Sequence, residues 1–167
     1  EENKIYNVPW KNDNKIRISN PIFNVNNLNQ LSNFSKNDYC LTQSSILALM
    51  GIRKNNDIDI VINSKLRNQL GIGDGYVKKD NVEIFSTSYD KFMIYGVKND
   101  DDLVSNYTFD FEGYKFLEPR FYFSRKNKID DKNIKDWEGI KRFYDIKSYE
   151  GYPFSECKLD KWGFEFI

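Results

Sequence analysis

The hexapeptide Asp-Ile-Asp-Ile-Val-Ile at positions 57–62 constrains this chain more than any other stretch. Its isoleucines and valine favour a buried strand, yet Asp57 and Asp59 fall within it one residue apart. A carboxylate among β-branched neighbours is costly unless something compensates its charge. A divalent cation is the usual compensation. Strand alternation puts Asp57, Asp59 and Val61 on one face and Ile58, Ile60 and Ile62 on the other. The isoleucine face is expected to be the core face. The aspartates then point together, toward a cleft if the strand is paired on both edges.

The totals narrow the chemistry. At 167 residues the chain suits one domain with a modest core. Its 25 basic and 25 acidic residues balance, so no global field points to nucleic acid or a membrane. Aromatic residues make up 16% of the chain, enough to build a core and exclude wholesale disorder. There is no histidine, which removes Ser-His-Asp triads, Cys-His pairs and the usual zinc sites. Cys40 and Cys157 lack metal-ligand spacing, and Cys40 reads as a reduced thiol in a buried strand. No apolar run is long enough for a membrane-spanning helix, and no signal peptide is visible, so a cytoplasmic location is the default expectation. The chain begins with Glu, which suits an excised or processed piece.

Taken in order, residues 1–20 are polar with scattered apolar anchors, and Pro9 and Pro21 argue against a long helix there. The alternation at 15–18 suits a short strand. Leu28, Leu31 and Phe34 recur every three residues, as in a short amphipathic helix. Residues 38–42 read as a buried strand, and Ser44 or Ser45 opens a helix that Gly51 terminates. Residues 53–56 form a polar turn before the aspartate strand. Asn63 or Ser64 caps a second helix, which Gly71 ends.

The glycines of Gly71-Ile-Gly-Asp-Gly75 follow a helix and do not open one, so they read as a turn rather than a phosphate loop. Residues 82–86 make a further strand that carries Glu83. Segment 89–96 is helix or strand, and the acidic 99–103 reads as a solvated loop. Residues 107–116 form a hairpin turning at Glu112-Gly113. Helices are expected over 120–128 and about 132–146, the second with an apolar stripe at 134, 137, 140 and 143. The aromatic tail packs back on the domain.

Asp57, Asp59 and Glu83 form the one sharp constellation: two strands presenting carboxylates on polar faces, preceded by a serine-opened helix. Clustered carboxylates of this kind hold one or two Mg²⁺ ions for phosphoryl or nucleotidyl transfer, and without the cation they repel. Ser44 is either a plain helix cap or a contact for a triphosphate through its hydroxyl and the helix N–H groups. Arg53 is a substrate-side cation or a solvated turn residue. The basic run Lys126, Lys128 and Lys132 is a solvated face or a phosphate contact.

The stretch from Leu41-Thr42-Gln43-Ser44 through Asp57-Ile58-Asp59 to Val82-Glu83-Ile84 resembles the nucleotidyltransferase-fold superfamily, the DNA polymerase beta-like group. That motif has a hydrophobic residue, Gly-Gly or Gly-Ser opening a helix, then an acidic-hydrophobic-acidic strand and a later third acidic residue. Gly-Ile-Arg at 51–53, ahead of Asp-Ile-Asp, is similar to small bacterial stand-alone and abortive-infection-type members. Lys132 and Asp136 match a Lys-Asp pattern on their C-terminal helix. The resemblance spans about residues 38–145. This chain departs from the pattern in Gln43, where the family has its first glycine, and in Asn133, where it has an acidic residue.

The resemblance implies an α/β (α+β) fold: a small mixed β-sheet flanked by helices. Residues 1–37 would form an N-terminal arm and short helix, 38–146 the nucleotidyltransferase-like domain and 147–167 a packed tail, within one globular domain. It implies a metal-dependent nucleotidyl- or phosphoryl-transferase in which Asp57, Asp59 and Glu83 are catalytic and hold Mg²⁺ or Mn²⁺. Ser44, Ser45, Arg53 and Lys132 would bind a nucleoside triphosphate or nucleotide-activated donor. The acceptor stays open among protein, small molecule, RNA and glycan. The alternatives are a catalytically degenerate binding module of a larger protein, or a LicD-like transferase of a phospho-substituent to a surface glycan.

Overall fold

The computed structural model describes residues 5–9, 15–23, 25–86, 97–119, 135, 136, 139, 157–160 and 163–166. Around the aspartate strand, β-branched residues and short turns build a six-stranded mixed sheet. Two hairpins precede and follow it: β1 (Ile5–Pro9) pairs antiparallel with β2 (Lys15–Ser19), and β9 (Cys157–Asp160) with β10 (Gly163–Phe166). The sheet comprises β3 (Tyr39–Thr42), β4 (Ile58–Ile62), β5 (Val77–Lys79), β6 (Val82–Phe85), β7 (Thr108–Phe111) and β8 (Tyr114–Leu117). Its order is β5-β6-β4-β3-β8-β7, with β4 antiparallel to β3 and parallel to β6. A short α1 (Ser44–Leu49), α2 (Ser64–Leu70) and α3 (Asp100–Asn106) accompany it. A mixed sheet with flanking helices is therefore the architecture, as the sequence implies.

The local signals work as their chemistry dictates. The Asn63 side chain accepts the Leu66 N–H at 2.9 Å and caps α2. Gly51 (φ 76°) and Gly71 (φ 67°) take the left-handed turn after α1 and α2. Ile52 N–H then reaches back to Leu47 O, and Ile72 N–H to Arg67 O, closing the paired bonds of a Schellman motif. At the β7–β8 turn, Glu112 and Gly113 both have positive φ, which matches the right-handed twist of the hairpin.

Four expectations change. The segment Val25–Leu31 is a 3₁₀ helix, whose three-residue repeat is the very spacing of Leu28, Leu31 and Phe34. The acidic 99–103 is the cap and start of a helix, Asp100–Asn106, rather than a loop. The Asn99 side chain accepts the Asp102 N–H at 2.8 Å, and three aspartates fall in the first turn of α3, where the helix dipole favours negative charge. Both faces of β4 are buried, Val61 as fully as the isoleucines, because β4 lies at the middle of the sheet and α1 and α3 both pack on it. Finally, β5 is a strand that no pattern announces; three residues are held by pairing with β6. The elements expected at 89–96 and 120–128, Lys126, Lys128 and Lys132 all lie outside the described residues, as does most of the helix expected at 132–146. Residues 135, 136 and 139 of that last segment are helical.

One buried cation ties the pieces together. Arg67, 4% exposed, donates to the carbonyls of Gly73 (2.6 Å), Gly75 (3.2 Å) and Phe85 (3.0 Å). Its Nε lies 3.4 Å from Asp100 of α3. The glycine turn is thus pinned to α2 and to the end of β6. Removing the guanidinium would leave three carbonyls and a half-buried carboxylate without this donor, a loss on the order of 3–5 kcal/mol. Arg67→Met should lower the denaturation midpoint by the corresponding amount, measured by urea unfolding followed by circular dichroism. An unchanged midpoint would show that the turn stands without it.

Candidate metal centre

Strand register assembles the site. Thr42 of β3 is opposite Asp59 of β4, Asp59 is opposite Glu83 of β6, and Glu83 is opposite Lys78 of β5. Residues in register across neighbouring strands project from the same face, so Thr42, Asp59, Glu83 and Lys78 form one row across four strands. Asp57, two residues before Asp59, joins the row from the mouth of β4. Carboxylate oxygens of Asp57, Asp59 and Glu83, one from each, lie within 4.8 Å of one another, a spacing at which they could hold a metal ion.

The burial is uneven. Asp59 is only 6% exposed, whereas Asp57 and Glu83 are half-buried. Ser44 at the start of α1 donates its hydroxyl to Asp59 Oδ2 at 3.3 Å. Among the described residues no N–H or O–H reaches Asp59 Oδ1. The neighbouring Glu83 carboxylate can hydrogen-bond Asp59 only by sharing a proton with it. Burial is accordingly the main cause that pushes Asp59 up to about 8, reinforced by the contact with Glu83 and the charge of Asp57. Asp57 is also raised, first by burial and then by Glu83. Glu83 is lowered, mainly because protonated Asp59 donates to it, with Tyr76 and Lys78 helping. Without a cation, three carboxylates share a proton.

Tyr76 and Lys78 complete the surround. The Tyr76 hydroxyl donates to Glu83 Oε1 at 2.5 Å, and its ring rests against Phe85 with centroids 5.3 Å apart. That hydrogen bond, with burial and the three carboxylate charges, pushes the phenol up to about 12. Lys78 lowers both Asp57 and Glu83 through its charge.

Of the residues singled out in the sequence, Asp57, Asp59, Glu83 and Ser44 come together. Ser45 is fully buried, and its hydroxyl has no hydrogen-bond partner among the described residues. Arg53 pairs with a buried carboxylate. Its Nε and Nη2 grip the two oxygens of buried Asp136 at 2.8 and 3.2 Å, fixing the turn before β4 to the C-terminal helical segment. Gly139 reinforces that seam: a Cβ there would fall 2.7 Å from Ile52 Cγ2. Lys132 lies outside the described residues.

Gln43, the N-cap of α1, has φ 51° and ψ −120° and offers no side-chain cap. That backbone conformation is one that glycine adopts freely and other residues do not. Sequence reasoning missed Tyr76, Lys78 and Arg67. Lys78 belongs to the site only through the β5–β6 register, and Tyr76, one residue before β5, through its hydrogen bond to Glu83.

No family model, curated protein or solved structure matches the chain. Geometry and chemistry therefore carry the functional argument.

The titration has a signature. An Asp in the unfolded chain ionises near 4, whereas folded Asp59 holds its proton to about 8. The proton's contribution to stability is complete below the unfolded value and is lost as pH rises through the folded one. Asp57 acts in the same sense, and lowered Glu83 opposes it. In chelator, the melting temperature should fall as pH rises from ~5 to ~8. Asp59→Asn, which keeps a donor facing Glu83, should flatten that slope; thermal unfolding across pH measures both, and a slope unchanged in the variant would exonerate Asp59.

Gln43→Gly should release backbone strain of about 1 kcal/mol or more after glycine's own entropic cost, a gain readable as a higher urea midpoint. A lower midpoint would mean that the Gln43 side chain repays its strain.

Proposed function

We propose that the chain is a metal-dependent nucleotidyl- or phosphoryl-transferase taking its group from a nucleoside triphosphate or another nucleotide-activated donor. The observation that carries this reading is Asp59 Oδ1, buried and without a donor among the described residues, inside a cluster of three carboxylates. A strand otherwise made of isoleucine and valine does not retain such an oxygen for stability. A cation satisfies it. The ligand set is oxygen alone, with no imidazole in the chain, which favours a hard cation such as Mg²⁺ or Mn²⁺.

Asp57, Asp59 and Glu83 would hold it, and when bound it supplies charge neutralisation at phosphate oxygens during displacement at phosphorus. The remaining work falls to side chains. The Ser44 hydroxyl orients Asp59 through Oδ2. Where Glu83, half-buried and across from Lys78, does not ligate the cation, it would instead accept the proton of an incoming hydroxyl. The Arg53–Asp136 pair steadies the turn from which Asp57 projects. The backbone of Gln43 keeps a glycine-type conformation at the position where the resembling superfamily has glycine, which supports a common geometry for the turn into α1.

The test is binding. Calorimetry with each of the four nucleoside triphosphates, in Mg²⁺ or Mn²⁺, should give saturable binding of at least one. Asp57→Asn with Asp59→Asn should weaken it at least ~10-fold, a loss of about 1.4 kcal/mol. Undetectable binding in the parent would sink the transferase reading. Binding that survives the double substitution would move the site elsewhere, and binding without transfer to any acceptor would favour a binding module. Because Asp59 must lose its proton to ligate, cation binding below about pH 8 should release a proton, seen as buffer-dependent heat.

A further inference from the structure

We propose that Tyr76 is itself an acceptor: its phenolic oxygen takes the nucleotidyl group, so that the chain modifies itself at the rim of its acidic centre. This rests on the transferase reading and names the acceptor it leaves open. An acceptor in such a reaction needs a hydroxyl that is reachable, beside the cluster, and oriented by a hydrogen bond to one of its carboxylates. Tyr76 meets each requirement. Its hydroxyl donates to Glu83 Oε1, and Glu83 is one of the three clustered carboxylates. Its side chain is 46% exposed. Among the described residues, the other hydroxyls at the cluster do not qualify: Thr42, Ser44 and Ser45 are all buried, and Ser44 is engaged with Asp59.

The position of Tyr76 is built rather than accidental. Arg67 grips the carbonyls of Gly73 and Gly75, just before Tyr76 in the chain, and the carbonyl of Phe85, two residues beyond Glu83. One guanidinium thus fixes the turn that carries the phenol and the strand that carries the carboxylate. The Phe85 ring supports the Tyr76 ring from beside.

In the step, a bond forms between Tyr76 Oη and the α-phosphorus of a nucleoside triphosphate. The bridging Pα–O bond to the β-phosphate breaks, and pyrophosphate leaves with its electron pair. The phenolic proton passes to Glu83 and from there to water. Nothing is oxidised or reduced.

Mass spectrometry of the whole chain after incubation with each triphosphate and Mg²⁺ or Mn²⁺ tests this. The expected result is a gain of one nucleotidyl group, mapped by peptide sequencing to Tyr76, with a rate per molecule that does not change on dilution. A readout independent of turnover is affinity labelling, without metal, by an adenosine bearing a sulfonyl fluoride at its 5′ end, which sulfonylates phenols. It should mark Tyr76, and ATP should protect. Tyr76→Phe should lose both marks, and mapping on the parent chain keeps the test decisive even if that variant fails to fold. Metal-dependent nucleotide binding with no adduct, or with an adduct elsewhere, overturns the acceptor assignment and leaves Tyr76 a positioning residue for Glu83. Absence of metal-dependent nucleotide binding by calorimetry overturns the transferase reading and this inference with it.

Discussion

The burial of Asp59 against Glu83 is the constraint on which the rest of this structure turns. Two carboxylates in register on adjacent parallel strands, one of them almost fully buried, repel when both are ionised, so Asp59 holds its proton to about 8. The fold supplies only partial relief. Ser44 satisfies one oxygen of Asp59, Lys78 lies across from Glu83, and Tyr76 donates to it. None of these reaches Asp59 Oδ1. Below about pH 8 the metal-free chain therefore keeps a proton at its centre, and a cation would exchange for that proton.

A charge can be kept in so poor a place only if the scaffold is stable enough to carry it. Ile58, Ile60, Val61 and Ile62 are fully buried on β4, and each contributes about 1.5–3 kcal/mol by leaving water. Two arginines then lock the periphery by different means. Arg67 binds carbonyls of the glycine turn and of β6, and Arg53 binds the carboxylate of Asp136 in a bidentate grip. Bidentate and forked contacts of this kind suit arginine rather than lysine. Both keep the approaches to the acidic row from shifting.

How much of this the sequence discloses depends on how local each cause is. The Asn63 cap, the glycines closing α1 and α2 and the Glu112-Gly113 turn are decided within a few residues, and all were legible. The aspartate strand was legible for the same reason, being anomalous on its own terms. Segment 99–106 misled because a run of aspartates resembles a solvated loop unless the Asn99 cap and the dipole of the helix are weighed together. β5 and Tyr76 could not be read at all. A three-residue strand has too short a period to detect, and the place of Tyr76 follows from pairing with β6 and from the reach of Arg67, both non-local. The three carboxylates were found in the sequence; the row Thr42, Asp59, Glu83 and Lys78 was not, since it exists only once the register is set.

Gln43 sharpens the point about cost. Its backbone sits where a side chain is disfavoured by roughly 1–3 kcal/mol, and the next residue is the serine that bonds Asp59. Strain and buried charge are thus concentrated at one end of β3 and β4, between the sheet and the first turn of α1. They differ in how they can be relieved. A cation would turn the carboxylate repulsion into attraction, so that part of the cost reverses on binding. The backbone strain has no such partner and persists in every state of the protein, held by the buried turn between Thr42 and Ser45 that surrounds it. That turn keeps its geometry without glycine because the sheet on one side and the apolar helix on the other leave the chain no second path.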